Sequence, residues 1–335
     1  MKEERQLVQL STEHVAASLR IGYESLPDDM KPVYDRLRSA ILSRAKELTV
    51  EDPDGRVLEH MSKIFIAVRQ DDPYLFYLSK ILKAENSDDE IIFMPRYLFG
   101  TFGEHRILKK IERAAEEMLE DLPDGVFERQ AEIHGRVTGS ITYPEDYDGG
   151  KKHEDYQTLV GALLNRKATC AGISNALNLL LNRAGIRCGT MRGTDHEGSG
   201  HTWNIVELGK KRYHLDATID TRSEMVQFEA FNITDEFCRG LGYHWECGFK
   251  CDDPTMEFYT YTKGCIRAAE VIDFVAERIS EGETDIAFRI SDIENWNRSM
   301  HADVVRSSAT KAAPATVFLK VNETRGYARL FVHKL

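Results

Sequence analysis

In the first third of the chain apolar side chains recur at helical steps. Residues 12 to 48 read as helical, with a break at Leu26-Pro27-Asp28-Asp29. Val57, Leu58, Met61, Ile64 and Phe65 form one stripe of a helix reaching Gln70, since residues three and four apart share a face. Asp71-Asp72-Pro73 ends it, because the residue before a proline avoids the α region. Glu90 to Tyr97 is short, rich in Ile and Phe, and predicts a strand. An amphipathic helix is expected over Glu104 to Leu122, closed by Pro123-Asp124-Gly125, and another from Phe127 to about Ile141. The stretch from Tyr143 to Gly150 is rich in Gly and Asp and reads as loop. After residue 225 a mixed segment leads to a helix near Arg267 to Ser280. A strand follows near Ile286 to Ile290, and a hairpin joins Thr316–Val321 to Tyr327–His333. Boundaries near 125 and 225 divide the chain into three regions.

The clearest periodicity lies between Ala171 and Ala184. Ile173, Ala176, Leu177, Leu180, Leu181 and Ala184 recur at three- and four-residue steps, and Gly185 supplies the stop. This is a buried helix, and Cys170 stands immediately before it. Unpaired N–H groups and the positive end of the helix dipole favour a thiolate there. On position alone the plainer reading, Cys170 as a small buried cap residue, is the favoured one.

The downstream pattern adds partners. Ile186 to Arg192 predicts a strand, Gly193 to Gly200 a polar loop, and His201 to Leu208 a second strand. Arg212 to Asp216 is its partner, with Gly209-Lys210 as a two-residue hairpin loop of the II′ kind. In that register Leu208 faces Lys211 and Trp203 faces Asp216, so Asp216 shares a face with His201 one diagonal step away. A carboxylate there can accept the imidazole N–H and fix its tautomer. The expected constellation is Cys170, His201 and Asp216. His214 and His196 compete for the role, and both read as ordinary solvated or hydrogen-bonded side chains.

Composition narrows the partners. The 335 residues are 42% apolar and 30% charged, and the net charge of −11 disfavours nucleic acid or an anionic membrane as partner. The start, Met1-Lys2-Glu3-Glu4-Arg5, opens no signal peptide, and the longest uncharged run, Ala168 to Asn182, is 15 residues, too short to cross a bilayer. A cytoplasmic chain is expected. Six cysteines (Cys170, Cys188, Cys238, Cys247, Cys251 and Cys265) are too few for a disulfide scaffold and read as free thiols. His244, Cys247 and Cys251 invite a metal reading, but they form no paired motif and lack a fourth ligand. No metal or cofactor is expected. Asp52-Pro53-Asp54-Gly55 lacks the remaining ligands of a calcium loop.

The segments Thr169-Cys170-Ala171-Gly172, Gly185-Ile186, His201-Thr202-Trp203-Asn204 and Tyr213-His214-Leu215-Asp216-Ala217-Thr218 together resemble the transglutaminase-like superfamily of papain-like thiol enzymes. Tyr147-Asp148, Gly161-Ala162-Leu163 and Asp72-Pro73-Tyr74-Leu75-Phe76 add a weaker likeness to bacterial members of the clostridial type. The resemblance implies an α+β fold with a nucleophile helix packed on an antiparallel sheet. A core over 126–225 would follow a helical region over 1–125 and precede a C-terminal α/β extension over 226–335, which completes or covers it. It also implies a Cys-His-Asp triad, an oxyanion hole using Gln157 (Tyr156 as runner-up), and Trp203 in the substrate cleft. Ile173 and Val160 depart from the family's aromatic residues and are expected to shape that cleft. The activity implied is hydrolysis of a peptide or protein substrate through a thioester. Transfer of the acyl group to an amine is the alternative, and a non-catalytic binding module is the second, since fold alone never fixes activity.

Overall fold

The computed structural model describes residues 2–87, 89–145, 147, 152–223 and 227–334. The first region is α1 (Lys2–Ala17), α2 (Ile21–Glu24), α3 (Lys31–Leu42), β1 (Leu48–Glu51), α4 (Arg56–Asp71), β2 (Leu78–Ser87), β3 (Glu90–Tyr97) and α5 (Thr101–Met118). β1, β3 and β2 make an antiparallel sheet in that order. Three elements here differ from the sequence reading, and one of them, β1, has no counterpart in it. The first helix begins at Lys2, ten residues earlier than expected, and β2 has no clean apolar alternation because Lys, Glu and Asn crowd its exposed half.

The middle region holds α6 (Val126–Ser140), a 3-10 turn at Glu154–Gln157, a π-helical turn at Val160–Asn165, and then α7 (Cys170–Arg183). β4 (Arg187–Thr194), β5 (Gly200–Leu208) and β6 (Lys211–Leu215) follow, then α8 (Ala217–Arg222), β7 (Phe231–Ile233), α9 (Asp235–Gly240) and β8 (His244–Trp245). The sheet order is β7-β6-β5-β4-β8, and every pairing is antiparallel. α7 lies on β4 and β5. Ile173, Leu177, Leu179, Leu180 and Leu181 are fully buried, and each such side chain contributes about 1.5–3 kcal/mol. Gly172 is required at its start, since a Cβ there would sit 2.4 Å from the Tyr156 carbonyl oxygen.

The hairpin register is the one expected: Leu208 faces Lys211 across Gly209, whose φ is +65°. The ladder stops one pair early, however. Asn204 faces Leu215, and the expected Trp203–Asp216 pair does not form. Asp216 instead turns its N–H to Ala230 O at 2.9 Å and caps α8.

The last region is α10 (Phe258–Tyr261), β9 (Cys265–Ile266), α11 (Val271–Ser280), β10 (Asp285–Ile290), α12 (Arg298–Lys311), β11 (Ala315–Val321) and β12 (Tyr327–Lys334). Its sheet runs β11-β12-β10-β9, with β9 parallel to β10. α12 has no counterpart in the sequence reading, because it buries only Val304 and Ser308 and carries a weak apolar stripe. The fold is α+β. One apolar cluster runs from Leu7 to Phe231, so side chains on both sides of residue 125 share a core. A second cluster gathers residues 268–332. The expected boundary at 225 lies outside the described residues. Among the described residues no helix is long and apolar enough to cross a membrane.

Candidate active site

Three elements converge on one point: the first turn of α7, the start of β5 and the cap of α8. Thr169 is the N-cap of α7, yet its hydroxyl lies 3.3 Å from the Tyr156 carbonyl and leaves the helix N-terminus uncapped by a side chain. Cys170 opens that helix and is half-buried. His201, on β5, is 9% exposed, and its Nε2 meets Asp216 Oδ2 at 2.6 Å. Nδ1 is then the ring nitrogen left for the Cys170 thiol.

The charges are coupled. Burial opposes the His201 cation, but the Asp216 carboxylate, its hydrogen bond and the neighbouring Cys170 outweigh it and raise the imidazole to about 10. Burial likewise opposes the Asp216 carboxylate, and His201 together with two further donors holds it below the usual range. Those donors are the Tyr243 hydroxyl at 2.7 Å on Oδ2 and the Thr218 N–H at 2.8 Å on Oδ1. Tyr143 faces the same site. Burial raises its phenol first, Cys170 adds to the rise, and the Arg222 guanidinium, 5.0 Å above the ring, opposes it. α8 is anchored in turn by His134 on α6, whose Nε2 lies 2.6 Å from Asp220 Oδ2.

Not every expected site residue stands at an open surface. Trp203 is fully buried, stacked 5.7 Å from the His201 ring, with Tyr243 and Trp245 around it. It backs the histidine and does not line a cleft. Ile173 and Val160 are also buried in the main core, so they do not shape a cleft either. Tyr156 is buried, stacked on His153 at 4.6 Å, and its carbonyl accepts from Thr169 N–H at 3.0 Å. Gln157 shares a small pocket with Ala171, and its amide N–H donates to the Tyr147 hydroxyl. Asp148 lies outside the described residues. Gly161 to Leu163 form the buried π-helical turn below the site.

His214 has no free nitrogen. Trp203 Nε1–H donates to its Nδ1 at 2.9 Å, so Nε2 carries the proton and donates to Asp235 at 2.8 Å. Among the described residues His214, Asp235 and Cys251 form the one trio within metal-ligating reach of each other, with ligand atoms inside 4.8 Å. The tautomer just described leaves His214 no lone pair for an ion. His244 and Cys247 do not join Cys251 in such a group. His196 is exposed in its loop.

Sequence reasoning missed Tyr143, Tyr243 and the Thr218 N–H. The last follows from any aspartate N-cap. The two tyrosines have no local signal, because they reach the site from separate parts of the chain.

Neither a protein-family model nor a curated protein matches the chain. Among solved structures it is similar to a TGase at 14% identity and a TM-score of 0.30, over 51% of this chain and 51% of that one. It is also similar to a "putative cysteine protease" from Cytophaga hutchinsonii, at 8% identity and a TM-score of 0.27, over 41% of this chain and 61% of the other. A "putative protease" from Parabacteroides distasonis matches at 14% identity and a TM-score of 0.25, over 51% and 40%. The chain thus spans about half the length of the TGase. Overlap of this degree decides neither family nor function.

Proposed function

We propose that the chain is a cysteine hydrolase of peptide or amide bonds, with Cys170 as nucleophile, His201 as acid and base, and Asp216 as the group that orients the histidine. The observation that carries this reading is the position of His201 between a buried carboxylate and a thiol at an uncapped helix N-terminus. The raised imidazole keeps a proton on His201 beside the thiol, ready for the leaving nitrogen.

In the first step the Cys170 sulfur attacks the carbonyl carbon, and the C–N bond breaks as His201 gives its proton to the leaving nitrogen. The thioester is then attacked by water, whose proton passes to His201. The C–S bond breaks, and the carboxylic acid leaves. The oxyanion is met by the Cys170 backbone N–H and by Gln157. The Gln157 amide has two N–H donors, and among the described residues only one is engaged, by Tyr147. In this reading residues 1–125 and 226–335 frame a core over 126–225.

The test is digestion of casein and of a glutaminyl peptide by wild type and Cys170→Ala, with and without a labelled primary amine. Hydrolysis by wild type and none by the variant is expected. Label incorporation outpacing hydrolysis would assign acyl transfer instead, and equal inactivity of both proteins would favour a binding module.

A further inference from the structure

The last turn of α4, the end of β4 and the first turns of α7 line a pocket of about 60 Å³ at Ala171, the residue after Cys170. Arg69 and Arg192 both line it, with Gln70, Gln157, Ala171 and Asn175. Arg69 is half-buried and Arg192 exposed. Two guanidinium groups face one small cavity, and among the described residues neither has an ion pair or hydrogen bond with a carboxylate. The carboxylate that Arg69 feels is Glu154, and it is already held by Ser79 Oγ at 2.6 Å, the Lys80 N–H at 3.1 Å and Arg96 at 3.7 Å.

A pair of like charges in a partly desolvated pocket is unfavourable until an anion joins it. Burial, with repulsion from Arg192 second, lowers Arg69 to about 10. The space admits a group the size of a carboxylate. The planar forks of arginine match that shape, and the remaining wall supplies amide donors. The pocket also continues into a groove of about 510 Å³, which shares Gln70 and Arg192 with it and passes Gly193 and Thr194 toward His244. A chain lying in the groove can therefore set one carboxylate between the arginines, at the wall formed by Gln157, Ala171 and Thr202.

We propose that Arg69 and Arg192 form a carboxylate-binding subsite that makes this chain select acidic peptides, taking either an acidic side chain or a free C-terminal carboxylate next to the reacting carbonyl. The assignment of Cys170 as nucleophile underlies the second half of that statement, so the test separates binding from turnover.

Fluorescein-labelled hexapeptide pools carry Glu, Gln or Lys fixed at each position in turn, and each pool ends in a carboxylate or an amide. Their binding to Cys170→Ala is read by fluorescence anisotropy. One Glu position, or the carboxylate-ended pools, should bind about tenfold tighter than the Gln or amide counterpart. The first result identifies a side chain as the source, the second a chain terminus. Arg192→Gln lies at the exposed mouth and should abolish the preference with the fold intact. Arg69→Gln should do the same, and Arg192→Glu should turn the preference toward the Lys pools. Equal binding of all pools, or a preference that survives both Gln variants, overturns the subsite. Wild type is then incubated with the preferred pool. Cleavage supports both proposals, whereas selective binding without cleavage keeps the subsite and removes the hydrolase reading.

Discussion

Tyr243 donates its hydroxyl to Asp216 Oδ2 at 2.7 Å, the same oxygen that meets His201 Nε2 at 2.6 Å. Asp216 is 2% exposed, and with Thr218 N–H on its other oxygen it is fully engaged. A buried carboxylate held this way keeps both its charge and its direction, and the histidine inherits them.

Removing that hydroxyl should be felt at the histidine. Tyr243→Phe deletes a hydrogen bond to a charged group, worth about 1.5–3 kcal/mol, so kcat/KM should fall about 10- to 100-fold. Circular dichroism should show an unchanged fold. Unaltered kinetics would make Tyr243 a packing residue only.

Asp216→Asn removes the attraction that lifts His201 to about 10. The imidazolium then loses its proton at lower pH, and the alkaline limb of Cys170 alkylation should move down toward the ordinary value of 6.5. Turnover should drop by up to about 10⁴-fold, as for loss of a triad carboxylate elsewhere. Iodoacetamide rates measured across pH read the first effect directly, and an unmoved limb would contradict the coupling.

The same pair has a stability signature. His201 is raised above its unfolded value, so its contribution is fully present below 6.5 and is lost as pH rises through about 10. Asp216 is lowered, so its part is present above 3.8 and is lost as pH falls through its depressed value. Urea midpoints of wild type and His201→Ala should therefore differ most below the ordinary histidine value and converge above about 10. A gap that widens with rising pH would reverse the assignment.

Among the six thiols, Cys170 should be alkylated first by limiting iodoacetamide at neutral pH. Burial holds Cys188, Cys238 and Cys251 well above the usual thiol value and raises Cys247. Cys265 is half-buried beside Arg289, whose Nη2 is 3.2 Å away, and is the sharpest internal control. Peptide mapping that finds Cys265 or Cys247 labelled first would count against the site.

Gly193 pairs with His201 across β4 and β5, and a Cβ there would meet His244 O at 2.1 Å and Trp203 Cη2 at 2.7 Å. Gly193→Ala should cost about 1–3 kcal/mol through overpacking and displace the histidine strand, lowering both the urea midpoint and the activity. Gly200→Ala, with nothing within 4 Å, is the neutral control. Equal midpoints for the two variants would refute the close approach.

Much of this was legible in the chain, and the limits are physical. Ile173, Leu177, Leu180 and Leu181 mark α7 by spacing alone, and that spacing puts Cys170 at its first turn. Gly209-Lys210 pins the hairpin register through Leu208 and Lys211. The register brings Asp216 near His201, although the pairing it implies gives way one residue early, because Asp216 leaves the sheet to cap α8. β2 and α12 escaped because their polar residues blur the period on which such readings depend.

Contacts between near neighbours in sequence were therefore the chain's own to specify: a helix with a cysteine at its start, and a hairpin joining a histidine to an aspartate. Only the tertiary structure decided what those residues face. Packing from distant segments buries Trp203 behind His201, brings Tyr243 across 27 positions to Asp216, and sets Arg69 of α4 opposite Arg192 of β4. No local periodicity encodes such meetings, because they depend on how whole helices and sheets fill a shared interior.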